Sequence, residues 1–157
     1  MKKDRNSPEL NSPDFSLPRS KILRGRKNFQ RLFEKSTVLN SDSIQFRYRI
    51  YPDSSEGCLI GFAAPKKKVP KAVHRNRTKR LLREVYQHQQ AYLNDLFDQQ
   101  SFGFHGLFLA NSADLSYSRI ENDMISMLKK TRERLMRINS TTGRQFKQDR
   151  PTTEDIN

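Results

Sequence analysis

The sequence predicts an α+β fold, a small α/β sandwich in which helices pack a mixed sheet. Three observations predict it. Apolar residues recur at i, i+3 and i+4 in three separate segments, as amphipathic helices require, and two other segments alternate apolar with polar residues, as half-buried strands require. A long helical segment also separates the second strand from a third short apolar run, and a helix between two strands of one sheet is the common route to a parallel pair.

Residues 28–36 place Phe29, Leu32 and Phe33 on one stripe of a short helix. In residues 44–50, Ile44, Phe46, Tyr48 and Ile50 alternate with Gln45, Arg47 and Arg49, giving a strand that offers two arginines to solvent. Residues 52–57 read as a turn rich in Asp, Ser and Gly. The next strand covers 58–64, with Cys58, Ile60, Phe62 and Ala64 on one face and Leu59, Gly61 and Ala63 on the other. Two strands joined by a short turn are expected to form a hairpin, and small residues at 61 and 63 leave room for a ligand backbone to approach the sheet.

The longest helix is expected from Pro70, whose missing N–H suits a first helical turn, to about residue 92. On it Leu81, Leu82, Val85, Tyr86, Leu93 and Leu96 share one arc, while Asn76, Lys79, Arg80, Arg83 and Gln87 lie opposite. Arg77 falls toward the side, where it can brace a neighbouring loop. A third strand over 107–110 and a last helix over 118–137 complete the domain. Ser118 with Glu121 fits a capping box, and Ile120, Met124, Leu128 and Leu135 form the inner stripe.

Charge gives the first indication of a partner. The chain has 157 residues and a formal charge of +13, and all but one of those excess positive charges fall within residues 20–137. Between Lys66 and Arg83 stand nine Lys or Arg residues and no acid. Such a density repels itself unless a polyanion is near, and a folded basic surface of this kind most often meets nucleic acid. Residues 1–19, with Pro8, Pro13 and Pro18, and the polar residues 138–157 read as disordered tails around a domain at 20–137.

No run approaches eighteen apolar residues and the N-terminus lacks a secretory apolar core, so a cytoplasmic protein without a membrane partner is expected. A single cysteine, Cys58, excludes an internal disulfide and cannot alone build a zinc site; it reads as a small buried apolar residue. His74, His88 and His105 show no spacing that would pair an acid with a base.

Residues 60–86, IGFAAPKKKVPKAVHRNRTKRLLREVY, closely resemble the signature region of the bacterial ribonuclease P protein component, whose Arg-Asn-Arg motif opens the long helix. The resemblance extends over roughly 20–137. It implies a left-handed βαβ crossover, against the usual hand, in a fold like the second domain of a small-subunit ribosomal protein. It implies the protein subunit of an endoribonuclease that removes the 5′ leader from precursor tRNA. The RNA subunit carries the catalysis and the Mg2+, no cofactor is bound by the protein alone, and the protein is a monomer in a 1:1 complex with the ribonuclease P RNA.

Residue by residue, the resemblance places Arg75, Asn76, Arg77, Lys79, Arg80 and Arg83 on the RNA, where a planar guanidinium can grip phosphate oxygens in pairs. It also implies a cleft between the first helix and the sheet for the single-stranded leader. Phe29 and Phe33 would stack there, with Gln45, Arg47, Lys66 and Lys67 beside them. On their own, Phe29 and Phe33 read as core side chains. Pro70 stands where many members have glycine, the lysine run is one residue longer, and Asn111 replaces an arginine, so the following loop is assigned no RNA contact. The alternative is a general RNA-binding module of ribosomal type, with the basic helix but no leader cleft.

Overall fold

The computed structural model describes residues 15–140. In chain order the elements are α1 (Arg26–Glu34), β1 (Thr37–Asn40), β2 (Ile44–Tyr51), β3 (Cys58–Ala63), α2 (Ala72–Gln89), α3 (Ala91–Asp98), β4 (Gly103–Ala110) and α4 (Tyr117–Ser140). The four strands lie in the order β1-β2-β4-β3. β1 and β2 form an antiparallel hairpin with Asn40 opposite Gln45, and β2 runs antiparallel to β4 with Arg47 opposite Leu107. β3 pairs parallel with β4, as the intervening helices led us to expect.

The hairpin expected between 44–50 and 58–64 does not form, because β4 inserts between those strands. All eight residues of β4 are buried, and a strand covered on both faces belongs in the middle of the sheet, whatever the length of the turn between its neighbours. Its glycines permit this. A Cβ on Gly106 would stand 2.8 Å from the buried ring of Phe46. Those glycines and His105 also interrupt apolar alternation in the first half of β4, so spacing alone predicts only 107–110.

On one face of the sheet Phe46 stacks on Phe108 at 4.1 Å and Tyr48 on Phe104 at 5.3 Å. Leu82, Val85 and Tyr86 of α2, Leu93 and Leu96 of α3, and Ile120, Met124, Leu128 and Leu135 of α4 close over them. These are the stripes expected from helical spacing. The other face has a smaller core of Leu23, Leu32, Leu107 and Leu109, covered by α1.

Several boundaries differ from expectation for local reasons. α2 begins at Ala72, so Pro70 precedes the helix instead of entering its first turn. Residues 65–69 form a turn in which Val69 N–H donates to the Pro65 carbonyl at 2.8 Å. α2 stops at Gln89, and α3 starts after Gln90, whose buried side chain donates to the carbonyls of Ser16 (3.0 Å) and Gln87 (3.1 Å). A side chain inserted into the helical ladder is an ordinary cause of a break. At α4 the cap is Ser116, whose hydroxyl oxygen accepts from Arg119 N–H at 3.2 Å. Ser118 and Glu121 form no box; Glu121 instead accepts from Gln89 at 3.1 Å.

Residues 15–19 are packed on the domain, ahead of the boundary expected at residue 20. Leu17 is 6% exposed, and Gln87, Gln90 and Arg83 of the helical layer donate to the carbonyls of Phe15, Ser16 and Leu17 in turn. This strap continues to Leu23, whose N–H donates to Ile60 at 3.0 Å along the outer edge of β3. A Cβ on Gly61 would meet Leu23 at 3.1 Å, so the space foreseen for a ligand backbone is filled by the chain itself. At the other end Ile138 is buried. The rest of the two expected tails, 1–14 and 141–157, lies outside the described residues.

Gly106→Ala should lower stability by about 1–3 kcal/mol, the scale of an overpacked core, because the Phe46 ring is locked against Phe108 and cannot withdraw. Thermal denaturation monitored by circular dichroism measures this.

Candidate nucleic-acid interface

α2 carries its cations in two arrangements. Asn76, Lys79, Arg80 and Arg83 form one wall of a groove whose other side is Ile22, Leu23 and Arg24 of the strap and whose floor includes Phe62. No acidic side chain lines it. Arg24 was not foreseen, since only the strap's path over β3 brings it to the helix. Arg83 also donates to the Leu17 carbonyl at 3.3 Å, which ties the strap to the groove.

Arg75 turns back, donating to the carbonyls of Val69 (3.2 Å) and Pro70 (2.7 Å). Arg75 thereby steadies the turn bearing Lys66 and Lys67. Neutral carbonyls leave its charge uncancelled. Arg77 lies toward a second groove, shared with Arg80, Glu84 and the loop from Ala113 to Ser116. Asn111, just before that loop, donates to the Ser41 carbonyl at 3.0 Å and so holds the β1–β2 turn.

The face of the sheet under α1 carries a separate patch. Phe33 is 50% exposed, and the Arg47 guanidinium sits 4.9 Å from its ring centroid. Arg47 Nε donates to Gln45 Oε1 at 3.1 Å, and Gln45 Nε2 donates to Asn40 Oδ1 at 2.8 Å. Burial lowers the Arg47 pKa, with no carboxylate contributing to the shift. A guanidinium so placed stays charged at neutral pH and lacks a counter-charge that a phosphate could supply. Phe33, Gln45 and Arg47 are thus brought together.

Phe29 is not open in the same way. It is half-buried against the small core of Leu23, Leu32, Leu107 and Leu109. Lys66 and Lys67 are exposed beyond the end of β3, where Ala63, Leu109 and Gln45 lie in register across three strands. Two strand spacings, about 10 Å, separate Ala63 from Gln45, and Lys66 and Lys67 follow three and four residues beyond Ala63.

At the far end of the same face the charges serve structure. Arg31 of α1 grips both oxygens of Glu56 at 2.9 and 3.1 Å. Arg31 and Arg49 both sit over the Tyr51 ring, at 4.6 and 4.7 Å. Arg49 donates to the Arg31 carbonyl at 3.2 Å, so it holds α1 in place and is not simply offered to solvent. His105 lies beneath, 1% exposed, with Nε2 3.1 Å from the Glu56 carbonyl. His74 and His88 belong to α2, and the three histidines do not converge. Cys58 is half-buried, and burial pushes its thiol up to about 11. Among the described residues no group of three or more His, Cys, Asp or Glu could hold a metal, and no helix is long and apolar enough to cross a membrane.

A family model described as Ribonuclease P matches residues 17–132. The chain belongs to the ribonuclease P protein family. The ribonuclease P protein component of Nitrosomonas eutropha is 38% identical over 77 residues, which are 48% of this chain and 64% of that protein. That of Dictyoglomus thermophilum is 32% identical over 117 residues, 74% of this chain and 92% of that protein. The match thus spans just under two thirds of the first relative and nearly all of the second. Among solved structures, the ribonuclease P protein of Staphylococcus aureus superposes with a TM-score of 0.54 at 18% identity, over 71% of this chain and 94% of that one. That of Thermotoga maritima gives 0.54 at 18%, over 69% and 96%. Both share the fold.

His105 should make this ribonuclease P protein acid-sensitive above the carboxylate range. Burial holds its pKa below the usual value, against a weaker opposing pull from the Glu56 carbonyl. With Nε2–H donating to that carbonyl, protonation would place a second N–H on Nδ1, which is buried without a partner. Stability is therefore complete above the unfolded value of about 6.5 and declines as pH falls below it toward the lower folded value. Urea denaturation between about pH 7 and 5 should show that decline, and His105→Gln should flatten it.

Proposed function

We propose that the chain is the protein subunit of ribonuclease P and divides two nucleic acids between its two surfaces. The groove between α2 and the strap holds the ribonuclease P RNA, through Asn76, Lys79, Arg80 and Arg83, joined by Arg24 and flanked by Arg77. Arg75 shapes the approach and adds its charge. The Phe33–Arg47–Gln45 patch takes the single-stranded 5′ leader of precursor tRNA, with Lys66 and Lys67 drawing in the backbone. Phe29 supports the patch from the core.

The observation that carries this reading is the half-exposed Phe33 ring beneath an arginine that has no carboxylate partner. Single strands are held by stacking platforms combined with cationic grooves. A helix packed only for stability would bury position 33 as it buries Leu32, and a general RNA-binding module would need the basic helix alone. The RNA carries the chemistry and binds Mg2+. The protein lowers repulsion between catalytic RNA and substrate, so its effect is tighter substrate binding and a smaller magnesium requirement. One protein serves one RNA, in the cytoplasm.

The test is cleavage of 5′-extended precursor tRNA by ribonuclease P RNA at low magnesium, with and without this protein. Strong stimulation that shrinks as the leader is shortened is expected. Phe33→Ala should remove about 1–3 kcal/mol of leader-dependent binding, and Arg80→Ala a similar amount of affinity for the RNA. Tight RNA binding with an unchanged rate at every leader length would favour the general module.

A further inference from the structure

The hydrogen bonds of the leader face end on Asn40, a residue to which the sequence assigns no role. Arginine nitrogens can only donate, so the Gln45 oxygen must face Arg47 Nε, as it does at 3.1 Å. The Gln45 nitrogen must then face Asn40, and Asn40 must answer with Oδ1, at 2.8 Å. The orientation of both amides follows from the arginine. Asn40 is exposed, and its Nδ2 is left with two N–H donors for whatever lies on the face.

The backbone beneath this amide is fixed as well. Asn40 ends β1, and Ser41 N–H donates to the Ile44 carbonyl at 3.0 Å across the turn. Asp123 of α4 accepts from Ser41 Oγ (2.9 Å), Ser43 N–H (3.2 Å) and Ser43 Oγ (2.6 Å). Asn111 donates to the Ser41 carbonyl from β4's end. The turn is thereby tied to two further elements. Asn40 pairs with Gln45, which lies two residues, about 7 Å, along β2 from Arg47.

We propose that Asn40 is a further leader-binding residue of this face, its Nδ2 donating to an oxygen acceptor on the nucleotide next to the one stacked on Phe33. The acceptor is a base carbonyl or a phosphate oxygen. This rests on the reading of the patch as the leader site.

The experiment is equilibrium binding of fluorescent 5′-extended precursor tRNA to the full chain assembled with ribonuclease P RNA. Asn40→Ala should weaken binding about three- to tenfold, the worth of one hydrogen bond, with affinity for mature tRNA and for the RNA subunit unchanged. Asn40→Asp should be at least as harmful, since a carboxylate still accepts from Gln45 but offers no donor. Combining Asn40→Ala with Gln45→Ala should cost less than the sum of the two. An abasic nucleotide in the leader separates the sources: a penalty that persists assigns the acceptor to phosphate, and one that vanishes assigns it to a base. If Asn40→Asp binds like the parent while Asn40→Ala is weak, Asn40 only orients Gln45 and the donor role is overturned. If both variants bind like the parent while Phe33→Ala is weak, Asn40 has no role although the leader site stands. If Phe33→Ala is silent too, the leader reading itself falls.

Discussion

β4 must be kept dry on both faces along its whole length, and the fold covers those faces unequally. Three helices close over one, and the nine-residue α1 over the other. α1 shields Leu107 and Leu109 and is held to the Arg49 end of β2. Gln45 and Arg47 of β2 and Asn40 of β1 are therefore left as a polar strip, with Phe33 at its border. The candidate leader site is the uncovered remainder of a sheet whose centre is buried.

Charge is divided by the same architecture. Three acids of the domain are engaged: Glu56 with Arg31, Asp95 with both nitrogens of Arg132, and Asp123 with Ser41 and Ser43. Hydrogen bonds from these partners lower the pKa of Glu56 and Asp95; in Asp123 burial pulls the other way and the serine bonds prevail. The positive excess is left over on α2, on the turn before it and on the strap. Neutral carbonyls orient Arg75 and Arg83 without cancelling their charge. A polyanion meeting that surface displaces small counterions and no internal salt bridge, which favours strong, salt-sensitive association.

Much of this was legible in the sequence because it is periodic and local. The α1 stripe, the alternation of β2 and the buried arcs of α2 and α4 all follow from spacing, and the basic row on α2 from the same wheel. β1 was missed because four residues, Thr37–Asn40, cannot establish a period-two pattern. The strap was missed because its apolar residues, Leu17, Ile22 and Leu23, are too few to set a period, and its contacts are with residues some 35 to 75 positions away. Non-local pairing also defeated the expected hairpin. At the patch, Phe33 and Arg47 were named only through the family resemblance, since spacing alone read Phe33 as core, whereas Asn40 and Arg24 were not named, since each acquires its place only through a neighbouring strand or helix.

The proposed division puts a single-stranded leader on the strip between Phe33 and Asn40 and the catalytic RNA in the groove beside α2. Photocrosslinking tests it most directly: 4-thiouridine is placed at successive leader positions, the full complex is assembled and irradiated, and the modified peptides are mapped. Adducts from at least one leader position within residues 29–47, and none within 72–89, are the expected result. Leader adducts confined to α2, or to the outer face of α4, would contradict the account.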